Sequence, residues 1–398
     1  MKDLSPLGIE VAALSVLLQE CRNFVDTETC TLDQFVNDFV KVVTSDKKCS
    51  LCELWEAKFP GYIGKANAFV SCWRGSLLKD TVDTLCHSLG ENSIKCVWID
   101  VVSCSQHADI ALGKTGKPLE GLKQFIKLCG EFILVIPSVK VFKPLQRLWC
   151  LFECYCASVE GCDVSIALNS DACVEAVSLL CRNTRFVLTT IFEHLNVSRA
   201  RCSLEEDLDG LHRFIGTSQH ETTHFQTSVS KCILPCLVDL TKKLKADCLS
   251  KYSTPQEDSQ DSQNCLLQQS LFDRSIGAIL IACGHLDEAA GYIDRALEYQ
   301  RSACGTDGHT TLGTTIVLCE LLYEQQQFPK CENHCREVLI ILQSSGKAHA
   351  RDIIDCMTIL ARSIDAQGRR KEAQKLYTEC DYLCGKHLLQ YQYFNPHF

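Results

Sequence analysis

From Ile276 onward the chain repeats itself every 42 residues. Ile276, Leu318 and Leu360 coincide, followed by the small residues Gly277, Cys319 and Ala361 and then by Leu280, Leu322 and Ile364. Twelve positions after each first small residue comes a second, Ala289, Cys331 and Ala373. Ile293, Cys335 and Tyr377 coincide next, then Ala296, Val338 and Cys380. Small residues at two fixed places let paired helices cross closely, while the apolar positions fill the space between neighbouring pairs. The period therefore predicts three stacked helical hairpins over residues 266–398.

The first two thirds read differently. Residues 1–60 carry apolar positions three and four apart in LSVLLQECRNFV and LDQFVNDFVKVV, which predicts amphipathic helices. From 67 to about 170 the pattern becomes short apolar runs, NAFVSC, KCVWIDVV, EFILVIP and CDVSIAL, separated by helical stretches. Strands alternating with helices predict a doubly wound, flavodoxin-like parallel sheet with helices on both faces. Residues 171–248 look mainly helical, with RFVLTTIF open to reading as a fifth strand. The polar stretch YSTPQEDSQDSQN then marks a linker. The expected division is a helical segment at 1–60, an α/β domain at 61–170, and a helical extension at 171–248 that can complete it. A linker at 249–265 and the repeats at 266–398 follow.

Composition narrows the function classes. The 398 residues are 46% apolar and 22% charged, which excludes wholesale disorder. Lys plus Arg is 40 against 49 for Asp plus Glu, so a net charge of -9 opposes a general grip on nucleic acid or an anionic membrane. The 28 cysteines would suggest a disulfide framework in an exported chain, yet the start lacks a small-x-small cleavage site and no run of 18 apolar residues occurs. A cytoplasmic chain with reduced thiols is expected, its cysteines serving mostly as small buried apolar residues.

In an open parallel sheet, reactive groups gather beyond the carboxyl ends of the strands. That rule selects Ser71, Cys72, Trp73 and Arg74 after the first predicted strand, and Asp100, Ser103, Gln106 and His107 after the second. Pro137 and Ser138 end the third, and the helix that follows carries LWCLFECYCA, in which Trp149 and Glu153 are four apart and share a face. The bland alternative pairs Glu153 with Arg147 or Arg74 and packs Trp149 and Cys150 onto the sheet.

These segments resemble a Toll/interleukin-1 receptor (TIR) domain: FVSCWRG matches its first strand and turn, WID its second strand, and LKQFIKLCGEFILVIPS its second helix and third strand. LWCLFE resembles the helix that carries the glutamate of those TIR domains that cleave NAD. YIGKANAFVS, WIDVVSCSQH and PLQRLWCLFE together are similar to a TIR-like group of algae and protists, over about residues 30–240, with Cys72 where that group commonly has His. The repeats resemble the tetratricopeptide repeat, and ACGTDGH the kinesin light chain variety, with QQQFPKCE in place of the usual Gly-containing turn. The resemblance implies an intracellular signalling or scaffold protein that assembles through the TIR-like domain and recruits a protein or peptide through the repeats. It implies as the alternative an NAD glycohydrolase with NAD as substrate. There Glu153 would be the catalytic residue, with Ser71, Trp73, Arg74, Asp100 and Trp149 around the ligand.

Two further patterns point to metal chemistry. His220-Glu221-Thr222-Thr223-His224 has the HExxH spacing of a zinc metalloprotease, in which two histidines one turn apart bind zinc and the glutamate activates water. Thr222 and Thr223 are weak helix formers, and Asp239 is the only nearby acid to complete the ligand set, so a solvated loop or helix end is expected instead. Cys49-x-x-Cys52 and Cys104-x-x-His107 are each half of a zinc site at most, and no metal is assigned.

Overall fold

The computed structural model describes residues 5–107, 117–140, 142–197, 199–202, 205–216, 218–250, 260–344 and 350–386. The chain divides into two compact units, one of Met1–Ala176 with Thr190–Cys236, the other of Val177–Thr189 with Leu237–His397.

The first unit is built on a six-stranded sheet of order β2-β1-β4-β3-β5-β6, with β1 (Leu7–Glu10), β2 (Ile63–Lys65), β3 (Ala68–Ser71), β4 (Cys96–Ile99), β5 (Glu131–Val135) and β6 (Asp163–Ala167). The strands read from the apolar runs, β3 to β6, are parallel neighbours. β3 and β4 are buried along their whole length, as central strands covered on both faces must be. β1 lies antiparallel to both β2 and β4, and it corrects the expectation that residues 1–60 are helical throughout. Its four residues are too few to show a period, and Gly8 sits there because a Cβ would stand 2.7 Å from the Val97 carbonyl oxygen.

The N-terminal helices are α1 (Leu14–Cys21), α2 (Leu32–Phe35), α3 (Lys41–Val43) and α4 (Leu51–Lys58), with a π-helical turn at Val36–Val40. Thr31 with Gln34, and Ser50 with Glu53, form capping boxes that start α2 and α4 by satisfying otherwise orphaned amides. Leu17, Phe35, Phe39, Leu51 and Trp55 pack with Val70, Val97 and Ile133 into one core on one sheet face. On the alternate residues of the strands, Phe69 stacks on Trp98 at 4.8 Å and on Phe132 at 5.8 Å. α5 (Leu78–Leu89) joins β3 to β4; α6 (Asp100–Ser103) and α7 (Lys117–Cys129) lie between β4 and β5, and α8 (Leu148–Glu160) between β5 and β6. α9 (Ser170–His194), α10 (Glu205–Ile215) and α11 (Gln219–Ser250) follow, and RFVLTTIF lies inside α9 rather than in a fifth parallel strand. Its β-branched residues suit a strand, but the helix breaks at Asn183, whose side chain caps a new helical stretch by accepting from the Phe186 amide.

The second unit contains, among the described residues, three helical hairpins: α12 (Gln260–Cys283) with α13 (Leu286–Cys304), α14 (His309–Glu324) with α15 (Phe328–Ser344), and α16 (Ala350–Ala366) with α17 (Arg370–Lys386). The 42-residue register places Gly277, Cys319 and Ala361 on the first helices and Ala289, Cys331 and Ala373 on the second. The close crossings occur there: a Cβ on Gly277 would stand 2.7 Å from Ile293, and Cys331 Sγ donates to the Cys319 carbonyl at 3.2 Å. Pro329 falls in the first turn of α15, where its missing amide costs nothing. The fold is thus a mixed, mostly parallel α/β unit followed by a hairpin array resembling tetratricopeptide repeats. All 28 cysteines are free thiols, and Cys319, Cys331, Cys335, Cys356 and Cys380 fill the core of the array as small apolar residues. Among the described residues no helix is long and apolar enough to cross a membrane.

Candidate functional site

β3 is flanked by β4 on one side and β5 on the other, so the chain changes direction of winding beside it. Ser71 ends β3, Asp100 follows β4 at the start of α6, and Glu153 lies on α8, the helix after β5. This is the switch point of the sheet, where the loops part and leave room beyond the strand ends. Ser71 Oγ donates to Glu153 Oε2 at 2.6 Å across 82 residues of sequence. Among the described residues this hydroxyl, and not an arginine, is the hydrogen-bond partner of Glu153.

The arginine is engaged elsewhere. Arg74 Nε donates to Asp100 Oδ2 at 2.7 Å and its Nη2 to Gln106 Oε1 at 3.1 Å, while Nη1 lies 3.8 Å from Asp33 Oδ1. Gln106 is held in turn by donating to the Asp100 and Cys104 carbonyls. Asp100 keeps the Arg74 guanidinium charged and largely neutralises it, which leaves little field for a phosphate. Burial pushes the Glu153 carboxyl up to about 8; the Ser71 hydroxyl and Arg74 pull it down, and Asp100 pushes it up. Near neutral pH the side chain is therefore mostly a neutral acid able to donate a proton, and becomes a carboxylate only on the alkaline side. Cys72 and Cys150 lie beside this pair, Cys150 Sγ donating to the Cys72 carbonyl at 3.7 Å, and burial drives both thiols well up. Neither is a nucleophile in that state.

The other residues expected at the site are placed apart. Trp149 shares α8 with Glu153, but its Nε1 donates to Asp207 Oδ2 of α10 at 3.1 Å, and its ring meets Phe152 edge-on. Trp73 folds back over Gly75, where a Cβ would stand 2.3 Å from the indole, with Lys143 Nζ 5.9 Å from the ring. Neither indole is thus a ready stacking face beside Glu153. Ser138 donates to Glu175, Ser103 caps the Ile99 amide, and His107 hydrogen bonds Thr44 at 2.8 Å. Asp33 and Asp207 were missed in the sequence, since nothing in their surroundings marks them as partners of residues 41 and 58 positions away.

The HExxH pattern opens a helix. Glu221 Oε2 accepts from the Ser218 amide at 3.1 Å and its hydroxyl at 2.6 Å, and the Glu221 amide returns a bond to Ser218 Oγ. That is a capping box at the start of α11, and it occupies the carboxylate that the metalloprotease reading needs as a base. His220 and His224 are exposed, and the His224 ring lies 6.5 Å from that of Tyr155. Cys52 is buried against Ser103, while His107 faces Thr44, so the two half-motifs do not form a shared site. Among the described residues no group of three or more His, Cys, Asp or Glu side chains is arranged to hold a metal ion.

No family model matches the chain, and no curated protein does. Two solved structures are similar to it. One is the crystal structure of BtubC (BKLC) from P. vanneervenii, at 14% identity and a TM-score of 0.32, covering 56% of this chain and 83% of that one. The other is a crystal structure of a Podosopora anserina putative kinesin light chain with nearly identical TPR-like repeats, at 16% identity and a TM-score of 0.30, covering 54% and 94%. At these values the hairpin assignment rests on the 42-residue register and the helix crossings rather than on the likeness.

Proposed function

We propose that this chain is a signalling scaffold whose hairpin array recruits a protein or peptide while its α/β unit, TIR-like in its motifs, associates with another such unit. The observation that carries the reading is the array itself: three hairpins in one register line up their first helices, α12, α14 and α16, as one side of the array, of the kind that stacked repeats offer to partners. The test is capture with the full chain. A partner retained by the wild type and lost when charges on that face are reversed supports the reading; retention of nothing, or of the same proteins by both forms, sinks it.

A second reading is favoured by one observation, the Ser71–Glu153 pair at the switch point of the sheet. An ionised Glu153 is suited to hold ribose hydroxyls, or to stabilise the oxocarbenium-like state formed as nicotinamide leaves and water adds to the anomeric carbon of NAD. Because burial keeps that carboxyl neutral up to about pH 8, cleavage that uses the carboxylate is expected to rise with pH through that value. Concentrated, oligomeric protein incubated with NAD at pH 7 and 9 should then show more turnover at pH 9 and none in Glu153→Ala. Equal turnover by the two forms contradicts the site, and intact NAD in such a sample removes the reading.

A further inference from the structure

Within the second unit, the segment Val177–Thr189 lies across the first helices of all three hairpins. From α12, Arg274 Nη2 donates to the Cys181 carbonyl, and Ser275 Oγ donates to the Leu180 carbonyl at 2.8 Å while accepting from Thr184 Oγ1 at 2.9 Å. From α16, Asp355 Oδ1 faces Arg185 Nε at 3.4 Å, and the Arg351 guanidinium covers the Phe186 ring at 5.4 Å. From α14, Glu320 Oε2 stands 4.0 Å from Arg185 Nη1. The segment is read by its main chain and its side chains together, as a bound peptide is. Its helix breaks at Asn183 (φ -156°, ψ 72°), and the Asn183 side chain then accepts from the Phe186 amide.

We propose that this face takes a partner segment bearing an arginine beside a hydroxyl residue, and that Thr184–Arg185 of the same chain fills the place until such a partner displaces it. The proposal rests on the recruitment reading above, and adds to it the chemistry of the partner and the reason the site is closed beforehand.

Two observations say that the resident segment is a substitute rather than a perfected fit. A well-made arginine–carboxylate pair has contacts near 2.8 Å and often two of them, whereas Arg185 approaches its acids at 3.4 and 4.0 Å, and its buried Nη1 makes no hydrogen bond. A cavity of about 100 Å³ also remains between the segment and the array, bordered by Arg185, Arg274, Glu320 and Asp355. The acids nonetheless need a cation: burial pushes the Asp355 carboxyl up to about 6 even with Arg185 pulling it down. A tethered occupant of this kind competes at high effective concentration, so the affinity of an outside segment is reduced by the fraction of time the face is filled.

The experiment uses the full chain and a fluorescein-labelled peptide of residues 177–189 with serine at position 181. Arg185→Glu in the protein sets like charge against Asp355 and Glu320 and expels the resident segment. The peptide should bind this variant at least ten-fold more tightly than the wild type. Phe186→Ala, at an exposed ring, loosens the segment without burying an unpaired charge and should give about a three-fold gain even if Arg185→Glu misfolds. A peptide carrying glutamate at position 185 in place of Arg185 should bind neither. Affinities within two-fold for wild type and Phe186→Ala, or equal binding of the arginine and glutamate peptides, overturn the proposal. A captured partner that holds wild type and Arg185→Glu alike leaves recruitment standing and defeats this site; peptide exchange as described with no captured partner does the reverse.

Discussion

Phe69→Ala will cost the α/β unit about 3–5 kcal/mol, the usual range for deleting a buried phenylalanine ring. Phe69 is 1% exposed on the central strand β3, stacked between Trp98 of β4 and Phe132 of β5. Removing it leaves a ring-sized void between two aromatic residues fixed by strand register, and neither can move in without breaking its ladder. Against a domain stability of roughly 5–15 kcal/mol this leaves a marginal unit. The readout is clean because Trp55, Trp73, Trp98 and Trp149, all four tryptophans, belong to the first unit. Denaturant unfolding followed by tryptophan fluorescence should show a midpoint far below the wild type, and a loss under about 1 kcal/mol would contradict the packing described.

Glu153→Gln will stabilise the protein at alkaline pH and leave it nearly unchanged at pH 4.5. The folded state holds the Glu153 proton up to about pH 8, whereas the unfolded chain releases it near 4.5. Between those values the folded state binds more protons, so the wild-type contribution is fully present below 4.5 and declines as pH rises, levelling off above about 8. Each pH unit is worth about 1.4 kcal/mol for a fully buried group. Partial solvent access reduces the total here to something on the order of 2 kcal/mol. Glutamine keeps an acceptor for the Ser71 hydroxyl and never ionises, so the difference between the two proteins should open steadily from pH 5 to pH 8. A constant difference across that range would mean that Glu153 is not buried as described.

Legibility in the sequence followed the length and regularity of each pattern. The array was readable because a period of 42 residues is tested at many coincident positions, and Gly277 and Cys331 stand where the crossings are close. β3 to β6 were readable as apolar runs because parallel strands are buried on both faces. β1 and β2 were not, since LGIE and IGK are too short to display a period and owe their place to Gly8 and to partners far along the chain. Near the switch point the strand-end rule selected Ser71 and Asp100, and the face shared with Trp149 on the following helix selected Glu153. Neither could give orientation: Trp149 turns to Asp207 and Trp73 to Gly75 through contacts no spacing encodes. Arg185 was invisible for the same reason, its partners Glu320 and Asp355 being separated from it by most of the array.

The scaffold reading stands or falls on where a partner lands. Hydrogen exchange of the full chain, with and without a captured partner, measures this directly, because an occupied surface slows exchange of the amides beneath it while the rest is unchanged. A partner on this face should keep α12, α14 and α16 protected while exchange in the displaced segment Val177–Thr189 speeds up. New protection confined to residues 5–176, with exchange in Val177–Thr189 unchanged at saturating partner, would contradict recruitment by the repeats.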